Sequence, residues 1–160
     1  MIGLYIVAMS RVLQDGEAVD MTNILILQDQ PDPMEALRKS LEATNELYFV
    51  KGPNEAIAIL EQGSVNLIIA RVHLDSGNIF EFIRQVKENS RFKELPLICF
   101  CGKRTEVAKA LCPNLSHATE VFGADKYICL DQFCVEGRCD FERLRNEIET
   151  VISGGAHDSH

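Results

Sequence analysis

The sequence predicts an α/β protein in which a five-stranded, doubly wound parallel sheet carries helices on both faces. Two patterns point there. From about Asn23 onward, strand-like and helix-like segments alternate five times. The strand-like runs are apolar without interruption, as suits strands covered on both sides. Successive βα units need right-handed crossovers, and those lay each helix over the sheet.

The elements follow in order. Ile24-Leu25-Ile26-Leu27 is the first strand. Asp32, Pro33 and Glu35 read as N-cap, N1 and N3 of a helix that carries Met34, Leu37 and Leu41 on its inner side. Leu47 to Val50 is the second strand; a helix from Asn54 to Glu61 then buries Ala56, Ile57 and Leu60 and stops at Gly63. Val65 to Ala70 is the third strand. Ile79, Phe82, Ile83 and Val86, at i, i+3, i+4 and i+7, form the core stripe of the third helix. Leu95 to Cys101 supplies the fourth strand, and Pro113 is expected to break the long segment that follows into two helices. Tyr127 to Leu130 is the fifth strand. The last helix opens at Asp140 and buries Phe141, Leu144, Ile148 and Val151.

A chain of 160 residues is long enough for one ordinary core and short for two. The domain is placed at residues 23–153, after an N-terminal extension of unknown role at 1–22 and before a disordered tail at 154–160. With a net charge of −8 the chain lacks the clustered cations that phosphate backbones require, so nucleic acid is not an expected partner. No apolar run approaches the roughly 20 residues of a membrane span. The apolar stretch from Ile2 to Met9 lacks a basic lead and is not read as a signal peptide. Six cysteines in a chain with a full core are read as reduced thiols of a cytoplasmic protein, because disulfide frameworks compensate for small cores.

The run Asn66-Leu67-Ile68-Ile69-Ala70-Arg71-Val72-His73-Leu74-Asp75-Ser76-Gly77-Asn78-Ile79-Phe80-Glu81 resembles, without a gap, the third strand and following loop of response-regulator receiver domains (CheY-like). The resemblance extends over about residues 23 to 152. It implies the flavodoxin-like strand order 2-1-3-4-5 and a role in two-component or phosphorelay signalling. It also implies a phosphorylation pocket at the carboxyl ends of the strands, where such sheets gather their chemistry. In that pocket this chain departs from the family. Arg71 stands in the place of the phospho-accepting aspartate, and a permanently protonated guanidinium is no nucleophile. Gln28 and Asp29 stand where two acids hold Mg²⁺, Cys101 where a hydroxyl meets the phosphoryl group, and Leu130, followed by Asp131, where a Lys-Pro pair is usual. The resemblance therefore implies an atypical, stand-alone receiver that is not phosphorylated, is not an enzyme and carries neither cofactor nor metal.

Two readings of Arg71 stay open: pairing with Asp29 where the metal would stand, or departure into solvent. His73 lies near the same rim without an assigned partner, and Asp75 is a carboxylate four residues late for the acceptor. Cys99 and Cys101 are assigned to opposite faces of the fourth strand. Cys101 with Cys129, and Cys134 with Cys139, are the redox candidates of a second reading, a thiol-based or metal-responsive sensor; none has a C-x₂-C zinc spacing. A nucleotide binder or enzyme would need a glycine-rich cradle or a nucleophile–base pair, and neither is legible. Between Cys101 and Gly123 the chain is about two turns longer than its resemblance would give. A remodelled face of helix four, strand five and helix five is accordingly expected to bind a kinase or output protein, and a homodimer is compatible with it.

Overall fold

The structure, a computed structural model, describes residues 10–12, 18–73, 78–102 and 106–157. Within the expected N-terminal extension, β1 (Ser10–Val12) and β2 (Ala18–Asp20) pair antiparallel, with Ser10 opposite Asp20. The apolar runs then alternate with helices: β3 (Thr22–Leu27), α1 (Pro31–Leu41), β4 (Asn45–Val50), α2 (Pro53–Leu60), β5 (Leu67–Arg71), α3 (Ile79–Glu88), β6 (Leu97–Cys101), α4 (Glu106–Phe122) and β7 (Lys126–Cys129). A 3₁₀ turn over Leu130–Phe133 leads into the short strands β8 (Cys134–Val135) and β9 (Arg138–Cys139), and α5 (Phe141–His157) closes the fold.

The sheet runs β4-β3-β5-β6-β7, all parallel, which is the order 2-1-3-4-5. Strand side chains alternate between its two faces. Ile24, Ile26, Leu67, Ile69, Ile98 and Phe100 pack toward α1 and α5, against Leu37, Leu41, Leu144 and Ile148. Leu25, Leu27, Ile68, Ala70, Cys99 and Cys101 pack the other way, against Ile59 of α2 and Phe82, Ile83 and Val86 of α3. At the amino end of β6, Asp125 ties three pieces together. Its Oδ2 accepts from the Leu97 amide at 2.8 Å and from Lys87 Nζ at 3.3 Å. Its own amide donates to the Leu97 carbonyl at 2.8 Å.

Several sequence expectations are corrected. α1 starts two residues early, with Gln30 as N-cap and Pro31 in the first turn. Proline suits that place because first-turn amides have no helical partner. α4 is one continuous helix with Pro113 inside it. The ring removes one main-chain donor, but Cys112 and Leu115 on either side press on the core and Thr119 is fully buried. β7 ends at Cys129, and Leu130 already belongs to the 3₁₀ turn. Cys99 and Cys101 share one core layer, as residues two apart on a strand must. Helical backbone in α5 runs on to His157, past the boundary drawn at 153. Gly154 and Gly155 disfavour helix by only about 1 kcal/mol each, far less than a proline would.

The expectation of reduced thiols fails at one pair. Cys134 and Cys139 form a disulfide across the β8–β9 hairpin. Glu136 and Gly137 between the strands both have positive φ, 50° and 80°, the mark of a two-residue type I′ turn. That turn sets Cys134 directly opposite Cys139.

Candidate functional site

The carboxyl ends of β3, β5, β6 and β7 meet at one rim. Past the end of β3, the Gln28 amide donates to the Val50 carbonyl and its Oε1 accepts from the Gln30 amide, both at 3.0 Å. Gln28 is buried, and its Nε2 meets no hydrogen-bond partner among the described residues. Asp29 comes next. Arg71, the last residue of β5, sits opposite Phe100 and is 4% exposed. Its Nη1 donates to Asp29 Oδ1 at 2.5 Å, and Asp29 keeps 27% of its side chain in solvent. Of the two readings left open for Arg71, the structure has the pairing. A guanidinium drawn this far into protein needs an anion beside it, since desolvating an unpaired charge costs several kcal/mol. Asp29 supplies that anion through a charge-assisted bond.

This arrangement does not fit Mg²⁺. The ion prefers carboxylates and water in octahedral array. Here Gln28 offers a neutral amide, Asp29 is already held by a cation, and no cluster of three acids forms among the described residues. Cys101, the last residue of β6, and Leu130, the first residue past β7, are buried and present neither a strong hydroxyl donor nor an ammonium group. Leu130 and Gly102 line a cleft of about 430 Å³ with Asp32, Ala36, Cys139 and Phe141. Pro33 packs against Gly102, so close that a Cβ on Gly102 would come within 2.5 Å of Pro33 Cγ. His73 is half-buried, and its Nε2 has no partner among the described residues. Asp75 lies outside them.

The cysteines divide into two groups. The Cys134–Cys139 disulfide sits at the hairpin beside the cleft. The others lie beneath α4, where Cys101 and Cys129 are register partners on adjacent strands. Cys112 joins them from α4, its Sγ 3.5 Å from Cys129 Sγ and 3.6 Å from the Tyr127 hydroxyl. Sequence reasoning missed Cys112. The signal was available: Cys112, Leu115 and Thr119 repeat at i, i+3 and i+7, the inner stripe of a helix.

None of the shifted thiols is tuned for nucleophilic attack. Burial pushes Cys99 from an ordinary 9.0 up to about 12, with Asp125 adding to the rise and a bond to Thr119 opposing it. Hydrogen bonding with Cys101, then burial, then bonding with Cys112 raise Cys129 further. Burial and the Cys112 contact raise Tyr127. Reactive cysteines show the opposite, a depressed pKa in an electropositive setting.

Comparison with solved structures places the fold. The signal receiver domain of a signal transduction histidine kinase from Syntrophus aciditrophicus superposes with a TM-score of 0.62 at 22% identity, over 83% of this chain and 91% of that one. The chemotaxis response regulator CheY4 of Vibrio cholerae gives 0.64 at 19% identity, over 82% and 98%. A response regulator receiver domain protein from Clostridium thermocellum gives 0.65 at 16% identity, over 86% and 98%. At these identities the likeness is one of fold, and the fold is that of response-regulator receiver domains. No protein-family model matches the chain, and no curated protein does. Among the described residues, no helix is long and apolar enough to cross a membrane.

Proposed function

We propose that this chain is an atypical receiver in two-component or phosphorelay signalling that acts by binding another signalling protein and does not take up phosphate. The Arg71–Asp29 pair carries the reading. A buried cation stands at the end of the third parallel strand and holds the one acid left at the end of the first. Guanidinium has no lone pair to offer a phosphoryl donor at neutral pH. With Cys101 at the end of β6 and Leu130 just past the end of β7, transfer, metal binding and phosphate contact lose their usual groups together.

The pair also holds the charge of the pocket constant where a phosphorylated receiver would gain and lose negative charge, which suits a protein that presents a constant surface. The partner, a kinase or an output protein, is assigned to the face of α4, β7 and α5. Leu111, 42% exposed, and Val121, 69% exposed, put apolar surface on α4 of the kind a protein partner covers.

Incubation with acetyl phosphate and Mg²⁺ tests the proposal by intact mass. The mass is expected to stay unchanged, and Arg71→Asp serves as the variant in which a carboxylate returns to the strand end. A labile, hydroxylamine-sensitive phosphoryl adduct on any aspartate of the unaltered chain overturns the reading.

A further inference from the structure

Beneath α4, three sulfur atoms converge that the receiver reading leaves without a task. Cys101 ends β6, Cys129 ends β7, and Cys112 reaches down from α4; their Sγ atoms all lie within 4.8 Å of one another. The edge between Cys112 and Cys129 is 3.5 Å. A metal with bonds of about 2.3 Å to three thiolates at the corners of a triangle holds those sulfurs about 4 Å apart. The cluster needs sub-ångström to ångström adjustments to reach that triangle, well within side-chain rotation. We propose that Cys101, Cys112 and Cys129 form a binding site for a soft, thiophilic cation, Cu(I), in three-coordinate sulfur geometry.

Three observations select that ion class. The donors are sulfur only, which favours soft cations over the hard, oxygen-seeking Mg²⁺ and Ca²⁺. Zn²⁺ in structural sites takes four ligands, and no further histidine, cysteine or carboxylate joins this group among the described residues. Water is poorly placed to act as a fourth ligand, because Cys101 is 0% and Cys129 6% exposed. Cys112, less buried than the other two, leaves a way in from the α4 side. The Tyr127 hydroxyl is directed at Cys112 Sγ and would donate to the thiolate once it forms. Each Cu–S bond replaces an S–H bond, whose proton goes to solvent. No electron is transferred in the step.

The sequence conceals this site. Its members lie 11 and 17 residues apart, because they come from three different elements, and no spacing rule for metal ligands covers that case. The inference is independent of phosphorylation, and its failure would leave the reading of Arg71 untouched.

Anaerobic titration of the full chain with Cu(I) against a chromophoric chelator tests it. A Cys134→Ser/Cys139→Ser background removes the hairpin sulfurs from competition. One equivalent is expected to bind, with ultraviolet thiolate-to-metal charge transfer and an X-ray absorption shell of three sulfurs at about 2.2–2.3 Å. Cys112→Ala, the least buried of the three, should lower affinity at least tenfold while circular dichroism and the thermal midpoint stay near the parent's. Absence of stoichiometric binding overturns the proposal. So does an affinity that Cys112→Ala leaves unchanged, or a shell containing nitrogen or oxygen in place of the third sulfur.

Discussion

The apolar cluster between the sheet and helices α1 and α5 is hydrocarbon in its fully buried members, from Ile24 and Ile26 to Phe100, Leu144 and Ile148, with the buried polar side chains of Ser40 and Asn45 bonded to α1 carbonyls beside it. The layer toward α2, α3 and α4 buries Cys99, Cys101 and Cys129 among its apolar residues. The cluster under α1 and α5 has no thiol among its buried members. The other carries groups that titrate and can ligate, placed where α4 is longer than the receiver resemblance would give. The chain thus gathers its buried thiols on one side of the five strands, while Arg71, in step with Leu67 and Ile69 along β5, ends the other side at the rim.

Deleting a large side chain from the hydrocarbon layer should have the greatest effect. Phe100→Ala is expected to cost about 3–5 kcal/mol in urea unfolding, through lost transfer energy and the cavity left behind. An effect below about 1 kcal/mol would break the contrast between the layers. At the rim, Asp29→Ala leaves Arg71 buried without that carboxylate. Breaking a buried pair costs about 3–5 kcal/mol, reduced here to about 2–3 kcal/mol because Asp29 is partly solvated. The double variant Asp29→Ala/Arg71→Met should recover most of that loss. A double variant no more stable than Asp29→Ala would show that the cation does not depend on its partner.

Where α1 meets the rim, Gly102→Ala drives a methyl group into the rigid Pro33 ring. It should cost about 1–3 kcal/mol through overpacking; a neutral result would mean that α1 yields freely. The thiol layer should reveal itself by pH. Cys99 ionises near 9.0 when unfolded and near 12 when folded. The unfolded chain therefore loses this proton first, and the stabilisation is whole below pH 9 and falls as pH rises toward 12. The loss is at most about 1.4 kcal/mol per pH unit for one thiol. Unfolding free energies at pH 8 and pH 10.5, compared between the parent and Cys99→Ala, isolate it. Equal slopes in the two proteins would remove Cys99 from the account. At neutral pH, Cys99→Ala itself should cost only about 1 kcal/mol.

Much of this architecture is legible in the sequence because it follows from local periodicity. The uninterrupted runs at Ile24–Leu27 and Leu97–Cys101 read as covered strands, and the Ile79, Phe82, Ile83, Val86 stripe reads as a core face. Asp140 is legible as a cap, and its Oδ1 does accept from the Arg143 amide at 3.0 Å. Features that depend on tertiary support are not legible. A proline predicts a break, but whether α4 continues through Pro113 depends on what Cys112 and Leu115 rest against. Pro31 and Pro33 both suit an early helix position, and only the assembled chain chooses between them. The two readings of Arg71 differ in a side-chain direction that no local pattern encodes. The meeting of Cys112 with Cys101 and Cys129 requires the crossover geometry of two βα units at once.

Asp125 gives the molecule a further property. It clamps the start of β6 to the loop before β7 and to the end of α3, at the edge of the sheet opposite the rim. Strand alignment is therefore locked from the end that does no chemistry. In evolutionary terms such a lock grants latitude: residues at the far ends of the same strands can be exchanged, an acid for a guanidinium or a hydroxyl for a thiol, without the strands slipping past one another.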